Sequence, residues 1–319
     1  MNADQGIDAT FGALPAAVVP PALHWETTAC ELPARLPERI LVTGAGGTLG
    51  GDVVGLLAAL GAHVIALSTT WRRPSVAAEA VTADAADADA VRSACAGVDA
   101  VVHMAAIPGT DLADPFLGYT TNTASTFNVL QQAGEHDIQR AVVASSINAF
   151  GVPANHREML PAYYPIDENV PRALDDWYSL SKASDELTTE MAASQFAMTV
   201  IALRFPLTTL PSRVRALAEP HQQRHVREGW SYLDRRDAAV AVAHALVVDL
   251  TGAHIIGLAA SDTYRSEDTE QLLDCYAPRV PRRRRFEGRE SLIDTSRAEN
   301  LLRFRPRHRW TDPDPPTIP

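Results

Sequence analysis

Two residues one helical turn apart, Tyr178 and Lys182, could form an acid/base pair. Lys182 is the only lysine of the chain, because 27 of the 28 Lys and Arg residues are arginine. An ammonium is a compact point charge with a movable pKa, whereas a guanidinium is a planar, permanently charged fork. An unperturbed tyrosine has a pKa of about 10. An adjacent ammonium would lower that pKa and turn the phenol into a usable general acid/base.

Spacing alone leaves two interpretations of this pair. Residues 177–193 have a helix-compatible pattern, so side chains four positions apart project from one face. A lone Y-x-x-x-K pattern nevertheless also arises by chance, and a tyrosine on a helix surface needs no chemistry. The rest of the chain must supply a site around the pair before a catalytic role follows.

A glycine-rich turn is the second feature that could take part in ligand binding. The stretch reads Thr43-Gly44-Ala45-Gly46-Gly47-Thr48-Leu49-Gly50. The pattern G-x-G-x-x-G fails, because Leu49 stands where its third glycine would fall, but T-G-x-x-G-x-x-G fits through Gly44, Gly47 and Gly50. Such glycines allow a tight turn and let backbone N–H groups approach a pyrophosphate at a helix N-terminus.

Apolar runs and amphipathic stretches alternate from residue 39 onward. The predicted strands cover 40–42, 64–67, 80–82, 100–104 and 141–144, and the predicted helices cover 50–60, 87–96, 118–134 and 177–193. This alternation is typical of a parallel sheet with helices on both faces. We therefore predict an α/β fold, a Rossmann-type doubly wound parallel sheet with a small C-terminal substrate-binding region. The glycine-rich turn lies in the first strand–helix unit.

Composition limits the partners. The 319 residues are 46% hydrophobic and carry a net charge of −11, so we expect a full core and no binding to nucleic acid or an anionic membrane. No apolar run approaches the roughly 20 residues of a membrane span, and no basic leader typical of a signal peptide is present. Cys30, Cys95 and Cys275 are few and widely spaced, which favours reduced thiols in a cytoplasmic protein over disulfides or a zinc site.

The turn, Tyr178 and Lys182 together resemble an extended short-chain dehydrogenase/reductase of the NAD-dependent epimerase/dehydratase type. Further matching stretches are Val81-Thr82-Ala83-Asp84, His103-Met104-Ala105-Ala106, Asn122 with the helix that follows it, 144–151, 294–298 and 304–306. The resemblance covers about residues 38–310. It implies an N-terminal extension (1–37), an NAD(P)-binding Rossmann domain (38–205), a mixed region (206–310) and a Pro-rich tail (311–319). The mixed region would hold a small substrate-binding lobe and Rossmann elements returning at about 235–260, and residues 311–316 are not expected to form regular structure.

The resemblance implies four catalytic residues. Tyr178 would be the general acid/base, and Lys182 would donate to the nicotinamide ribose hydroxyls. Ser146 would orient the reacting oxygen, although Ser145 competes for this assignment and a strand-end capping role is the alternative. Asn122 would position the cofactor or a water, or it is simply a polar residue inside a helix.

The resemblance also implies the cofactor-binding residues. They are Gly44, Gly47, Thr48, Leu49, Gly50, Ser68, Arg72, Arg73, Asp84, Ala85, Ala105, Ala106, Tyr178, Lys182 and Phe205. Members that bind NAD place an Asp where this chain has Ser68, and two arginines, Arg72 and Arg73, follow. Loss of the carboxylate and gain of guanidiniums would suit a 2′-phosphate. We therefore expect NADP to be preferred over NAD, unless both arginines are solvated loop charges.

The substrate end departs from the nucleotide-sugar members of the family. The run Arg204-Phe205-Pro206-Leu207 lacks their asparagine, and Ile147-Asn148 stand where dehydratases carry an Asp-Glu pair. A small substrate and simple hydride transfer are thus favoured over dehydration. Ser146, Asn148 and Arg204 are the candidate substrate-binding residues. Arg204 could meet a carboxylate, as in uronate-type dehydrogenases, or form a buried ion pair with Asp237.

Two other polar residues are expected to be structural. Asp237 resembles the family's helix-start aspartate, and we interpret it as an N-cap. His103 is expected to be a packed strand-end residue more than an acid/base group. The remaining histidines show no metal-ligand spacing, so no metal is predicted.

The leading hypothesis is an NAD(P)-dependent oxidoreductase acting on a secondary alcohol or ketone of a small, polar, possibly sugar-like molecule. One alternative is a sugar or nucleotide-sugar epimerase that keeps its cofactor bound. The other is a non-catalytic dinucleotide-binding protein, for which the phenol would be superfluous. The family resemblance adds the expectation of a homodimer, formed through helices around 118–134 and 174–196.

Overall fold

The structure is a computed structural model that describes residues 22–25, 31–218 and 223–318. The strands are β1 (Ala22–Leu23), β2 (Arg39–Thr43), β3 (His63–Ser68), β4 (Glu79–Thr82), β5 (Ala100–His103), β6 (Arg140–Ser146), β7 (Thr199–Phe205), β8 (Leu207–Thr209), β9 (Tyr232–Asp234), β10 (Ala253–Gly257) and β11 (Thr317–Ile318). The helices are α1 (Thr48–Ala59), α2 (Ala88–Ala94), α3 (Pro115–Glu135), α4 (Trp177–Phe196), α5 (Pro211–Ala218), α6 (Arg235–Val247), α7 (Thr269–Tyr276) and α8 (Ser296–Leu302).

Seven strands form one parallel sheet in the order β10-β7-β6-β5-β2-β3-β4. Successive strands move outward from β2 in one direction through β3 and β4, and in the other through β5, β6, β7 and β10. The order therefore reverses between β2 and β5, where doubly wound sheets bind their ligands. The predicted Rossmann-type doubly wound sheet is confirmed.

Both faces of the sheet are covered, because its central strands are apolar on both sides. Helices α1 and α6 pack on one face, and α2, α3 and α4 pack on the other. A third apolar cluster, which includes Phe150, Trp230, Tyr232 and Leu272, lies in the part of the chain that follows β6. No helix in the described ranges is long and apolar enough to cross a membrane.

Aspartates cap several helices and so determine where they begin. Asp176 precedes α4 and accepts from the backbone N–H of Ser179 at 2.8 Å. Asp234 caps α6, so the expectation that Asp237 is that cap was wrong by one turn. Asp237 lies inside the first turn, where its carboxylate accepts from the backbone N–H groups of Arg307 and His308.

The two ends of the described chain meet in a two-stranded antiparallel sheet. Strand β1 pairs with β11, Ala22 opposite Ile318. Residues 311–316 contain no helix or strand, as expected, and 317–318 form a strand because a distant strand supplies the hydrogen-bond partners. Trp25 packs on α1, where a Cβ on Gly55 would lie 2.7 Å from the indole Nε1. Residues 22–25 of the extension thus pack on the domain, while 1–21 and 26–30 lie outside the described residues.

Helices α3 and α4 pack closely along their length. Gly118 in α3 faces the ring of Trp177, and a Cβ on that glycine would lie 2.4 Å from the indole Cη2. The indole also meets the ring of Tyr178 edge-on, with the ring centroids 5.9 Å apart. Trp177 therefore couples the position of α3 to that of Tyr178.

Candidate active site

The sheet topology brings the predicted catalytic and cofactor-binding residues to the carboxyl ends of the parallel strands. Strand β2 leads into the glycine-rich turn, β5 leads into residues 104–109, and β6 ends at Ser146. Helix α4 carries Tyr178 and Lys182 past the end of β6. Carboxyl ends of parallel strands at a reversal of strand order are the usual location of a ligand site.

Close backbone packing explains the glycines of the turn. Gly44 has a φ of +67°, and a Cβ there would lie 2.5 Å from the backbone N of Ala105. A Cβ on Gly50 would lie 2.2 Å from the carbonyl oxygen of Gly44. Gly46, to which the spacing pattern assigned no role, is the most crowded: its Cβ would lie 1.8 Å from the carbonyl oxygen of Thr70. Only glycine fits these three positions.

The turn presents unblocked donors at the start of α1. The helix begins at Thr48 with Gly47 as its N-cap, and within the described ranges no side-chain cap and no acidic residue occupies its first turn. Its first N–H groups are therefore free for an anionic ligand. This donor set, and the space that absent Cβ atoms leave, fit the pyrophosphate of a dinucleotide. Thr48 and Leu49, two of the predicted cofactor-binding residues, lie in the first turn of α1.

Lys182 is held by two partners inside the protein. Its Nζ donates to the carbonyl oxygen of Ala144 at 3.0 Å and to Asp185 Oδ2 at 2.9 Å. Both ionic side chains are buried, Lys182 at 3% exposure and Asp185 at 1%. Burial disfavours the ammonium, but Asp185, Tyr178 and Glu186 together leave the pKa of Lys182 raised. The lysine is therefore charged, and Asp185 offsets much of that charge.

The pKa of Tyr178 is raised in the protein alone, opposite to the lowering expected from its neighbour. Burial is the largest cause, and it outweighs the lowering effects of the Lys182 ammonium and a hydrogen bond from Ser146. Asp185 adds to the increase. The expected lowering treated Lys182 as an isolated cation, without the burial of the phenol and without the carboxylate of Asp185.

Ser146, and not Ser145, is the serine beside the phenol. Ser145 Oγ donates to the buried carboxylate of Glu186 at 2.8 Å. Ser146 Oγ instead accepts from the backbone N–H of Asn148 at 3.1 Å and from its Nδ2 at 3.2 Å. These two donors leave the Ser146 proton free to point outward, toward Tyr178. The geometry therefore favours Ser146 for the orienting role.

Asn122 is fully buried and links two elements of the site. Its Oδ1 accepts from the backbone N–H of Ile107 at 2.7 Å, and its Nδ2 donates to Ile107 O at 3.2 Å and Ser181 Oγ at 3.1 Å. The amide thus ties the segment after β5 to helix α4. Its contacts are those of a residue that positions other groups.

His103 is a buried, neutral strand-end residue, as its surroundings require. Burial, with a contribution from Lys182, lowers the pKa of His103 to about 3. Its Nδ1 lies 2.8 Å from Thr43 Oγ1, and its Nε2 lies 3.1 Å from Thr126 Oγ1. Because Thr126 donates its own proton to the carbonyl oxygen of Asn122, Nε2 carries the imidazole proton. The ring joins β2 to α3.

Arg204 forms a buried ion pair, but its partner is Glu186 and not the expected Asp237. The guanidinium donates to both carboxylate oxygens, at 2.7 and 2.9 Å. Arg172 donates to the same carboxylate at 2.7 Å. Strand β7 ends beside α4, which brings Arg204 to Glu186, a proximity that the sequence pattern did not reveal.

The outer cofactor-binding candidates lie around the ends of β3 and β4. Ser68 Oγ donates to the carbonyl oxygen of Thr70 at 2.9 Å, directly against Gly46. Arg72 is exposed, whereas Arg73 lies against α1, 3.7 Å from Asp52 Oδ1. The two arginines therefore do not converge on one point.

The remaining candidates are spread along the same edge. Asp84 is exposed and accepts from the backbone N–H of Ala86, and Ala85 beside it is buried. Ala105 contacts the turn at Gly44, and Ala106 follows it. Phe205 ends β7 and is paired in register with Ser146, which places it at the carboxyl edge of the sheet.

Two functional neighbours escaped the sequence argument. Asp185 and Glu186 follow Lys182 by three and four positions on the same helix face. Side chains at these spacings are neighbours, so charge patterning on α4 was the signal that could have found both. Gly46 carried no comparable signal, since its crowding comes from Thr70 in the loop after β3.

Both the sequence and the fold of this chain are similar to those of known proteins. Residues 40–228 match the model of the NAD dependent epimerase/dehydratase family. Uronate dehydrogenase from Pseudomonas putida is 29% identical over 170 residues, which are 52% of this chain and 60% of that enzyme. L-arabinose 1-dehydrogenase (NAD(P)(+)) from Haloferax volcanii is 31% identical over 199 residues, 60% of this chain and 76% of that enzyme. The match to uronate dehydrogenases thus spans 60–66% of their length.

The fold resembles solved structures over a larger share of the chain. A short-chain dehydrogenase/reductase superfamily protein from Agrobacterium tumefaciens with bound NAD has a TM-score of 0.66 and 22% identity. The superposition covers 85% of this chain and 93% of that protein. At this identity the likeness describes the shared fold.

Proposed function

The chain belongs to the NAD-dependent epimerase/dehydratase family, and we propose that it is an NAD(P)-dependent oxidoreductase that transfers hydride at an alcohol or carbonyl carbon of a small sugar. The observation that carries this proposal is the buried group of Tyr178, Lys182 and Ser146 beside the glycine-rich turn. Binding a dinucleotide requires no buried phenol. The three side chains together are what proton transfer at a carbon–oxygen bond needs.

The residues divide the proton chemistry among them. Bound cofactor would supply the hydride acceptor or donor. Tyr178 Oη takes the substrate hydroxyl proton during oxidation and returns it during reduction. Ser146, whose Oγ is held by Asn148, donates to the reacting oxygen and orients it.

Lys182 would bind and orient the cofactor, and it would also stabilise the negative charge of the ionised Tyr178 phenol. An ammonium has three donors, and two of them contact Ala144 and Asp185. The third is available to a ribose hydroxyl of the cofactor. Because Asp185 offsets the ammonium charge, this enzyme would ionise its phenol at a higher pH than a lone lysine would allow.

The substrate class is proposed from the relatives. Uronate dehydrogenase and L-arabinose 1-dehydrogenase share 29–31% identity with this chain, so an aldose or uronate is the class to test. The guanidinium of Arg204 already forms an ion pair with Glu186. Arg204 is therefore not available to bind the carboxylate of a uronate. A neutral aldose therefore suits the described residues better than a uronate.

NADP is proposed over NAD. Ser68 lacks the carboxylate that would repel a 2′-phosphate, and the exposed Arg72 could pair with one. Arg73 is held near Asp52 and is less available. Replacing Arg72 with Ala should raise KM for NADP and leave KM for NAD unchanged. Equal effects on both, or a wild-type preference for NAD, would overturn this part.

The partner proposed for the protein surface is a second copy of the chain. Exposed apolar side chains lie on the adjacent helices α3 and α4, and large exposed apolar patches mark association sites. They are Phe116, Leu117 and Phe127 on α3, and Leu180 and Leu187 on α4. A homodimer formed through these helices would cover them.

We also propose that the protein is cytoplasmic. Cys95 and Cys275 are free thiols, which suits a reducing compartment. Both should react with an alkylating reagent after denaturation without prior reduction. A disulfide at either position in protein taken from its native source would count against this location.

The decisive experiment is turnover with defined substrates. Purified protein is mixed with NADP or NAD and either L-arabinose or D-glucuronate, and reduced cofactor is followed by absorbance. Tyr178→Phe should lower kcat by about 10²–10⁴-fold while the Kd for cofactor stays unchanged. Tyr163→Phe is the matched control, since Tyr163 and Tyr178 are both 9% exposed.

The outcomes separate the hypotheses. Full activity of Tyr178→Phe would refute the assigned acid/base. Copurifying cofactor with substrate interconversion, but no net reduction, would indicate an epimerase. No turnover of either sugar with either cofactor would reject the proposed function.

A further inference from the structure

Helix α5 begins where the chain leaves the candidate active site. Strand β7 ends at Phe205, which is paired in register with Ser146, and only residues 206–210 lie between Phe205 and α5. A segment this short keeps the start of α5 near the carboxyl edge of the sheet. Val214 in α5 is 1% exposed and belongs to the apolar cluster that also contains residues of the turn 147–150. The position of α5 therefore affects the surroundings of Ser146.

The N-terminus of α5 has no capping side chain of its own. The first N–H groups of a helix lack partners inside it, and a polar side chain directly before the helix normally caps them. Pro211 has no N–H, and Leu210 before it has no side-chain acceptor. Asp314 supplies the missing group: its Oδ1 accepts from the backbone N–H of Ser212 at 2.7 Å, and its Oδ2 accepts from Ser212 Oγ at 2.5 Å. A carboxylate at this end also interacts favourably with the helix dipole.

Arg215 attaches the same helix to the same part of the tail. Its Nη1 donates to the carbonyl oxygens of Trp310 and Asp312, at 2.8 and 2.7 Å, and its Nη2 lies 3.5 Å from Asp314 Oδ1. Trp310 is fixed in turn, because its backbone N–H donates to the hydroxyl of the buried Tyr232 in β9 at 2.9 Å. Residues 310–314 therefore connect α5 to β9, and Asp314 provides the carboxylate of this connection.

We propose that Asp314 is a positioning residue that holds α5 in place as one wall of the substrate site. With Asp314 present, α5 stays near the turn 147–150, and the sugar meets a formed site. Without it, α5 leaves this position for part of the time, and the sugar binds only the fraction of molecules in which the helix is in place. The inference rests on the proposed function, because it takes the sugar to bind at Ser146 and Tyr178.

The test measures how Asp314→Ala changes the KM for sugar. Values of kcat and KM are determined for L-arabinose and D-glucuronate with NADP or NAD, and the Kd for cofactor is measured by fluorescence. Loss of a helix cap corresponds to a population change of about 2- to 30-fold, so KM for the sugar should rise by a factor in that range. At saturating sugar, kcat should stay close to the wild-type value, since bound sugar selects the molecules with α5 in place. The Kd for cofactor should not change, because Asp314 contacts α5 and not the glycine-rich turn.

Two further variants separate positioning from stability. Asp312→Ala is the matched control, because the Asp312 side chain accepts from its neighbour Arg309, and the contact with Arg215 uses only the backbone oxygen. Its KM should equal that of the wild type. The double variant Leu210→Asp, Asp314→Ala places a carboxylate directly before α5, where a helix cap normally lies, and should lower KM again. A merely structural weakening would reduce Tm and the active fraction, and hence kcat, without moving KM.

The results distinguish this inference from the function beneath it. An unchanged KM in Asp314→Ala, or an equal rise in Asp312→Ala, overturns the role of Asp314 and leaves the oxidoreductase intact. A raised KM that Leu210→Asp does not lower also overturns it, because Asp314 would then act by a route other than the cap of α5. Absence of turnover of either sugar by the wild type rejects the proposed function itself.

Discussion

Replacing Lys182 with Met should remove activity and stability together, for two separable reasons. The side chain is one half of a buried ion pair, with Nζ 2.9 Å from Asp185 Oδ2. Removing one partner of such a pair leaves an uncompensated buried charge and costs about 3–5 kcal/mol. A chain of 319 residues has an unfolding entropy of about 0.67 kcal/mol/K at about 2.1 cal/mol/K per residue. The apo protein should therefore lose about 4–8 °C in Tm.

The double variant Lys182→Met, Asp185→Leu separates the two reasons. Exchanging a buried ion pair for apolar side chains of similar volume is often neutral or stabilising, so Tm should return close to the wild-type value. Turnover should not return, because the ammonium that assists Tyr178 is still missing. The assay is thermal unfolding of both variants beside kcat with NADP. Equal Tm values for the single and double variants, or recovered turnover in the double variant, would refute this account of the pair.

Three other perturbations have directions that the structure determines. The pKa of Tyr178 is raised and oxidation needs the phenolate, so kcat/KM for oxidation should rise toward alkaline pH. Asp185→Asn should shift that rise to lower pH, and a profile that stays in place would contradict the link. Gly46→Ala should weaken cofactor binding, measured as Kd by fluorescence, because its Cβ would lie 1.8 Å from a backbone oxygen; an unchanged Kd would show that the turn adapts. Phe116→Asp should shift a dimer toward monomer in sedimentation, whereas Val76→Asp, at 66% exposure against 78%, should not; identical profiles would exclude the α3–α4 interface.

The sheet was predictable because its signals are local. Apolar runs and the turn at residues 43–50 specify strands and a helix start within a few positions of the chain. Tyr178 and Lys182 are likewise linked by helix geometry alone. For these features the local sequence pattern is sufficient to predict the secondary structure and the relative placement of the residues.

Features that depend on contacts between distant elements were not predictable in the same way. Arg204 meets Glu186 because β7 ends beside α4, and no spacing rule relates positions 18 residues apart on different elements. The raised pKa of Tyr178 depends on burial, which a sequence does not state. Thr317–Ile318 becomes a strand only because Ala22–Leu23 lies opposite.

The contact between Gly118 and Trp177 restricts which substitutions this enzyme can accept at position 118. Gly118 touches no candidate ligand group, yet any side chain there must displace the indole that adjoins Tyr178. A shift of about 1 Å in a catalytic group can cost about 10²-fold in rate. Position 118 should therefore alter turnover while leaving substrate contacts intact, and libraries meant to broaden sugar choice should hold it constant. Natural variants with a substitution at position 118 should therefore have a lower turnover rate and the same selectivity among sugars.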